Sequence, residues 1–197
     1  MTAANSEPRI VAVRHGRTAW SENGRHTSYT DLPLLQSGEM RARALAGELD
    51  PRSFGLVLCS PRLRARQTAQ LAGFPVERTE IIEDLREWDY GDYEGLTTVQ
   101  IREQFPGWSI WTDGAPGGES PEQVAVRADR VISRAIEVRD GDVIVFAHGH
   151  LLRMLGVRWL GLPPQSGGML MLYPATFSRL GHEHGQRTIE TWNAEPR

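Results

Sequence analysis

Two histidine-glycine pairs and two arginine clusters carry the most distinctive chemistry in this chain. A neutral imidazole is a nucleophile that can accept a phosphoryl group. A guanidinium is a planar fork that binds two oxygens of a phosphate or carboxylate at once. The pairs are His15-Gly16 and His148-Gly149, and the clusters are Arg14, Arg17 and Arg25, and Arg62, Arg64 and Arg66. An anion pocket with a histidine nucleophile is one interpretation, and structural histidines with arginines on solvated helix faces are the alternative.

Both pairs and the second arginine cluster follow segments that are typical of buried strands. Short apolar runs occur at 9–13, 56–59 and 143–146, and helical patterns separate them. This arrangement predicts an α/β fold with a mainly parallel sheet and crossover helices. Ligands of open parallel sheets gather at the carboxyl ends of the strands. The sequence therefore predicts that the histidines and arginines meet in one crevice, which favours the functional interpretation.

Capping residues and hydrophobic periodicity predict the remaining elements. Thr97 and Ser120 each stand three residues before a glutamine, which is the capping-box pattern of a helix start. Helices are predicted over 37–49, from 61, from 97, from 120 to about 138 and over 150–160, and further strands over 169–173, 177–180 and 188–192. The segment 105–119 is rich in proline and glycine and is predicted to be a loop. With no repeat or linker, the chain reads as one domain over 1–197, with residues 1–8 flexible.

Composition restricts the class of protein. The 197 residues carry a formal net charge of -3, with 40% hydrophobic and 24% charged residues, as in ordinary globular domains. A single cysteine, Cys59, cannot form an internal disulfide, and its apolar surroundings predict an inert core thiol. All 22 basic residues are arginine, but the net acidity argues against nucleic-acid binding. No targeting segment or membrane span is visible, so we expect a cytoplasmic location and no membrane partner.

Four separated motifs give the chain a family resemblance. They are Arg14-His15-Gly16 after the first strand, residues 60–69 (SPRLRARQTA), residues 85–95 (LREWDYGDYEG) and Ala147-His148-Gly149. In this order the motifs resemble those of the histidine phosphatase superfamily, also called phosphoglycerate mutase-like, over roughly residues 9–193. The resemblance implies a three-layer α/β/α fold with helices on both faces of the sheet.

The resemblance also implies catalytic roles. His15 corresponds to the histidine that is phosphorylated, and Arg14, Arg64 and His148 to its neighbours around the phosphate. Glu87 corresponds to the acid/base carboxylate. Phosphoryl transfer spreads charge over three oxygens, so Arg14, Arg64 and a protonated His148 would stabilise that charge. The proton of His15 is expected on the other ring nitrogen, held by a backbone carbonyl.

Substrate contacts are expected from residues around the motifs, and some of them depart from the family pattern. These residues are Arg17, Ser21, Thr27, Ser28, Tyr90, Gly149 and His150. Arg17 replaces the usual Glu or Gln, and could lower the pKa of His15 or pair with Glu22 instead. Ser21 replaces an asparagine that is common there. The stretch 97–119, where the mutase branch supplies cations for a second phosphate, holds only Arg102, so a bisphosphate site is predicted to be poorly supplied.

The motifs together predict a cofactor-independent phosphatase for small phosphomonoesters, similar to bacterial acid phosphatases of broad specificity. Phosphoglycerate mutase is the nearest alternative, and a noncatalytic module that binds phosphate or phosphoproteins is another. No metal is expected, because His182 and His184 lack a third ligand nearby. The expected partner is a small-molecule substrate, and a homodimer is left open.

Overall fold

A central sheet of six strands organises the molecule, for which a computed structural model describes residues 7–197. The strands are β1 (Ile10–Arg14), β2 (Phe54–Cys59), β3 (Glu80–Ile81), β4 (Asp142–Ala147), β5 (Phe177–Glu183) and β6 (Gln186–Ala194). Their order is β3-β2-β4-β1-β5-β6. The pairs among β1 to β4 are parallel, whereas β5 pairs antiparallel with both β1 and β6. The predicted α/β class with a mainly parallel sheet is confirmed.

Helices cover both faces of the sheet. They are α1 (Ala19–Glu22), α2 (Gln36–Ala44), α3 (Leu63–Leu71), α4 (Thr98–Gln104), α5 (Ile110–Asp113), α6 (Pro121–Ile136) and α7 (Gly149–Trp159). Both predicted capping boxes are present, at Thr97 before α4 and at Ser120 before α6. The short α5 lies inside the segment 105–119 that was predicted to be a loop.

Alternation along the strands divides the core into two clusters. In β4, Val143 and Val145 belong to the cluster that includes α6 and α7, whereas Ile144 and Phe146 face the cluster that includes α3. Because side chains alternate between the two faces of a strand, an unbroken apolar run is what a sheet covered on both sides requires. Cys59 is buried in the second cluster, and burial raises the pKa of its thiol to about 12.

The predicted strand at 169–173 is wrong. Residues Pro164–Met169 form a 3-10 helix, and residues 170–173 belong to no strand. The alternation of buried Leu172 with exposed Met171 and Tyr173 is real. A strand also needs ladder hydrogen bonds, but here the Tyr173 N–H donates to the side-chain oxygen of Asn193 at 2.7 Å. Backbone acceptors of this segment bind side chains instead, since the Trp192 indole donates to the carbonyl of Met171 at 2.6 Å.

Two further expectations concern the ends of the molecule. The flexible start was predicted for residues 1–8, of which 1–6 lie outside the described residues. The carboxylate of Glu7 lies 2.8 Å from Nε2 of His182, whose ring packs against Trp159.

Between residues 7 and 197, no helix is long and apolar enough to cross a membrane.

Candidate active site

A cavity of about 230 Å³ opens where β1 and β4 end. This volume lies below the roughly 300–1,000 Å³ of sites for drug-sized ligands, so it suits a small substrate. The lining residues are Arg14, His15, Thr18, Ser21, Gly24, Arg25, His26, Thr27, Glu87, Tyr90, Thr98, Gly149, His150, Arg153 and Leu172. The crevice predicted from the strand ends is present and is lined by His15, Arg14 and Arg25, whereas His148 and the second arginine cluster (Arg62, Arg64 and Arg66) are not among its lining residues.

His15 stands directly after β1 with a defined tautomer. Its Nδ1 lies 2.7 Å from the carbonyl of Gly16, an acceptor, so Nδ1 carries the proton as predicted. The lone pair is then on Nε2. Gly16 is required here, because a Cβ would lie 2.6 Å from the carbonyl oxygen of Gly38. Burial lowers the pKa of His15 well below its ordinary value, and the charges of Arg64 and Arg14 lower it further.

Arg14 presents a buried guanidinium beside His15. Its Nη1 donates a hydrogen bond to the carbonyl of Leu172, whereas its Nε has no hydrogen-bond partner within residues 7–197. The guanidinium lies against Gly149, where a Cβ would approach its Cζ to 3.2 Å. Glycine at 149 therefore gives the arginine room at the end of β4. A buried cation with an unused donor is suited to bind an anionic oxygen.

His148 is neutral in this arrangement. Arg64 Nε donates to His148 Nδ1 at 3.2 Å, and because a guanidinium has no acceptor, Nδ1 must accept. The proton is therefore on Nε2, which lies 2.7 Å from the hydroxyl of Ser60. Burial, followed by the charge of Arg64, lowers the pKa of His148 well below its ordinary value. The ring centroids of His15 and His148 are 5.2 Å apart, so His148 places a neutral ring beside His15 rather than the protonated ring that the resemblance implied.

Arg64 also fixes the loop that leads to the cavity mouth. Its Nη1 donates to the carbonyl of Thr30 at 3.2 Å, and its Nη2 donates to the carbonyls of Thr27 at 3.0 Å and Ser28 at 3.3 Å. The side chain is fully buried, and its charge acts on His15 across the site. Arg64 thus combines an electrostatic effect with control of the loop conformation.

Glu87 is held against the first turn of α7. Its Oε1 accepts from the backbone N–H groups of Trp88 at 3.0 Å and Leu151 at 2.9 Å. Its Oε2 accepts from the N–H of His150 at 3.1 Å. The start of a helix is a favourable position for a carboxylate, because its first N–H groups have no partner within the helix. Oε2 keeps acceptor capacity and Glu87 lines the cavity, so this oxygen can exchange a proton with a bound substrate.

A buried ion pair supports the loop that carries Glu87. Arg127 in α6 contacts Glu119 through two hydrogen bonds of 2.7 Å, and its Nη1 donates to the carbonyls of Asp84 and Arg86 at 2.8 and 3.0 Å. Glu119 in turn accepts from the N–H of Asp89 at 2.9 Å. Pairs of this kind bring specific geometry, here by fixing the chain on both sides of the carboxylate.

Neutral aromatic groups form the far wall of the cavity. The Tyr90 hydroxyl is hydrogen-bonded to His150 Nδ1 at 2.5 Å, and the His26 ring lies 4.6 Å from the Tyr90 ring. Burial lowers the pKa of His26 to about 4 and that of His150 well below its ordinary value. Burial and the charge of Glu87 raise the pKa of Tyr90. These three side chains can offer hydrogen bonds but no charge to a ligand.

Two residues that were predicted to contact substrate do not reach the cavity wall. The Arg17 side chain is 52% exposed and lies 3.8 Å from Glu22, and it is Arg64 and Arg14 that lower the pKa of His15. Ser28 is fully buried, and its N–H donates to the Glu94 carboxylate at 2.8 Å. The other predicted contacts, which are Ser21, Thr27, Tyr90, Gly149 and His150, line the cavity.

Several residues of the cavity were not predicted from the sequence. They are Thr18, Gly24, Arg25, His26, Thr98, Arg153 and Leu172. The position of Arg153 could have been predicted from local sequence, because it stands one helical turn after His150 on the same face of α7. Arg25 had been noted in the first arginine cluster, but the bridge that places it, from Arg25 to Thr97, joins distant segments.

Comparison with known proteins identifies the family. Residues 10–195 match the histidine phosphatase superfamily (branch 1). The chain belongs to this superfamily. An acid phosphatase of Mycobacterium tuberculosis is 44% identical over 189 residues, which are 92% of this chain and 90% of that protein. A sedoheptulose 1,7-bisphosphatase of Saccharomyces cerevisiae is 40% identical over 190 residues, 80% of this chain and 69% of the relative.

Solved structures also resemble this chain. The structure of an open reading frame product from Mycobacterium tuberculosis superposes with a TM-score of 0.92 at 41% identity, covering 96% of this chain and 99% of the other. The resemblance predicted from four motifs is thus confirmed over nearly the whole chain. Because these two relatives, the acid phosphatase and the bisphosphatase, are phosphatases, a phosphoric monoester hydrolase activity is supported for this protein.

Proposed function

We propose that this histidine phosphatase is an acid phosphatase that hydrolyses small phosphomonoesters through a phosphohistidine at His15. The observation that carries the proposal is the bond of His15 Nδ1 to the Gly16 carbonyl, which leaves the lone pair on Nε2 in a cavity that also holds Arg14 and Glu87. A nucleophile, a cation for the phosphoryl oxygens and a proton donor are the three groups that two-step phosphoryl transfer requires.

Two balanced steps follow from this arrangement. In the first step Nε2 of His15 forms a bond to phosphorus, the ester P–O bond breaks, and Glu87 gives its proton to the leaving alkoxide. In the second step water attacks the phosphohistidine, Glu87 takes a proton from the water, and the P–N bond breaks to release inorganic phosphate and restore neutral His15. Arg14 and Arg64 stabilise the negative oxygens in both transition states.

Activity in the acidic range follows from the charge state of the nucleophile. Only the neutral imidazole has a lone pair to attack phosphorus. Since burial and two arginines lower the pKa of His15, the ring stays neutral as the pH falls below the ordinary histidine value. The acid phosphatase from Mycobacterium tuberculosis, 44% identical, points in the same direction.

Trapping of the phosphoenzyme tests the proposal. We expect a labelled aryl phosphate to leave base-stable, acid-labile label on the wild-type protein, and His15→Ala to lose both label and turnover. The matched control is His184→Ala, which replaces an exposed histidine. Label that persists in His15→Ala, or a wild type that binds phosphate without turnover, would contradict the proposal and favour a noncatalytic module.

A further inference from the structure

Glu87 stands on a segment of irregular backbone. Residues 86–90 belong to no helix or strand, so no ladder of regular hydrogen bonds fixes the chain there. The carboxylate nevertheless has to meet the N–H groups of His150 and Leu151 at the start of α7. Segments without regular structure are the more mobile parts of a protein. Contacts from elsewhere in the chain must therefore hold the backbone around Glu87.

Glu119, which precedes α6, supplies such contacts with its side chain and its backbone. Its Oε2 accepts from the N–H of Asp89 at 2.9 Å, and its Oε1 accepts from Nη2 of Arg86 at 3.1 Å. Its N–H donates to the carbonyl of Asp89 at 2.9 Å, and its carbonyl accepts from Nε1 of Trp88 at 2.8 Å. Glu119 thus contacts residues on both sides of Glu87.

Arg127 in α6 fixes Glu119 in turn. Hydrogen bonds of 2.7 Å run from Nε to Oε1 and from Nη2 to Oε2, a fork that sets the orientation of both groups. Arg127 Nη1 extends to the carbonyls of Asp84 and Arg86 at 2.8 and 3.0 Å. Burial by itself would raise the pKa of Glu119, but the hydrogen bonds and the charge of Arg127 outweigh burial and lower it. The pair therefore stays ionised as the pH falls into the acidic range.

We propose that Glu119 and Arg127 are positioning residues for the proton-transfer step, which hold the Glu87 carboxylate at the start of α7 and in the cavity. The inference rests on the proposed function, in which Glu87 gives a proton to the leaving group. Neither side chain of the pair lines the cavity, so both act through the backbone of residues 84–89. A displacement of about 1 Å at a catalytic group can cost roughly 10²-fold in rate.

The leaving group of the substrate provides the test. The single-turnover rate of phosphoenzyme formation is measured with an aryl and an alkyl phosphate, and the aryl-to-alkyl ratio of the two rates is compared between variants. An alkoxide needs the proton of Glu87 more than an aryl oxide does, so a displaced acid raises this ratio. We expect a rise on the order of 10-fold in Arg127→Gln and in Glu119→Gln, which is part of the roughly 10²–10⁴-fold effect of a general acid. A smaller fraction of folded enzyme would lower both rates equally.

A double-mutant cycle shows whether the pair acts through Glu87. In Glu87→Gln the acid is already lost, so the addition of Arg127→Gln should not change the ratio further. Arg127→Lys keeps the charge without the planar fork, and its ratio should lie between those of the wild type and Arg127→Gln. A wild-type ratio in Arg127→Gln, or a further rise in the Glu87→Gln background, would overturn the positioning role.

The ion pair of Arg158 and Asp129 is the matched control. It also links α6 to another element through two bonds between a guanidinium and a carboxylate, of 2.9 and 3.0 Å, but it lies at the last turn of α7 and not at the first. Asp129→Asn should leave the aryl-to-alkyl ratio unchanged. Arg127→Gln leaves the Glu119 charge buried without its partner, which can prevent folding. In that case the double variant of Glu119→Gln with Arg127→Gln, which removes both charges, gives the same test.

Hydrogen exchange gives a readout that does not depend on turnover. The N–H groups of His150 and Leu151 donate to Glu87, so their exchange should be faster in Arg127→Gln and unchanged in Asp129→Asn. Unchanged exchange together with an unchanged ratio would overturn the positioning role even if aryl phosphates label His15. Conversely, faster exchange in a protein that hydrolyses no phosphomonoester would retain the positioning of the carboxylate and refute the proposed function.

Discussion

Glu87→Gln is the substitution that most directly tests the proposed proton donor. The carboxylate accepts three backbone N–H groups, from Trp88 and Leu151 at Oε1 and from His150 at Oε2. An amide keeps one oxygen acceptor and replaces the other oxygen with a donor. With the amide oxygen in the place of Oε1, its NH₂ group faces the His150 N–H, and two donors then meet.

The structure gives two separate magnitudes for this variant. One buried N–H without an acceptor costs about 1–3 kcal/mol of folding stability. Loss of the general acid should slow transfer from substrates with poor leaving groups by roughly 10²–10⁴-fold. Aryl phosphates with good leaving groups need less protonation, so their transfer step should slow much less. The stability loss alone predicts no dependence on the leaving group.

Single-turnover kinetics separate the two effects. The rate of phosphoenzyme formation is measured with an alkyl and an aryl phosphate, and the free energy of unfolding is measured by urea denaturation. Glu94→Gln is the matched control, because Glu94 also accepts backbone N–H groups, from Ser28 and Thr30, but does not line the cavity. It should lose stability without gaining a leaving-group dependence. Equal slowing of both substrates by Glu87→Gln would refute Glu87 as the acid.

Three further outcomes are expected. Arg17→Glu should leave the acidic limb of the kcat/KM profile unchanged, because the side chain pairs with Glu22 at 3.8 Å, outside the cavity; a limb displaced by a full pH unit would contradict this. Wild-type stability should fall by about 2 kcal/mol from pH 7 to pH 5 through His26 alone, since its pKa is about 4 when folded and 6.5 when unfolded, so the unfolded chain takes up the proton first. His26→Gln should reduce this loss in urea denaturation, and the exposed His184→Gln should not. Equal slopes for wild type and His26→Gln would show that folding does not lower the pKa of His26. Inorganic phosphate at about 100 times its Kd should raise the free energy of unfolding by about 2.7 kcal/mol, and in Arg14→Gln, measured at the same phosphate concentration, the gain should be smaller.

Local chemistry was enough to predict the elements around the nucleophile. The capping boxes at Thr97 and Ser120 involve residues three apart, and the apolar runs of β1 and β4 are continuous in sequence. Because parallel strands end at the same edge of a sheet, the placement of His15 beside His148 followed from the two runs. The motif resemblance then indicated Glu87 and Arg64, which the structure brings to the same site.

The tertiary structure decided what depends on contacts between distant segments. The alternating pattern at 169–173 formed no strand, and its backbone bonds to the side chains of Trp192 and Asn193 instead of to a neighbouring strand. Arg17 turned outward to Glu22, whereas Arg153, without a motif of its own, entered the cavity. The neutral state of His148 follows from its burial and from the guanidinium of Arg64 at 3.2 Å, a contact between residues 84 positions apart. Sequence pattern specifies the periodicity and ends of an element, but the charge state and direction of a side chain depend on the partners that folding brings within hydrogen-bond distance.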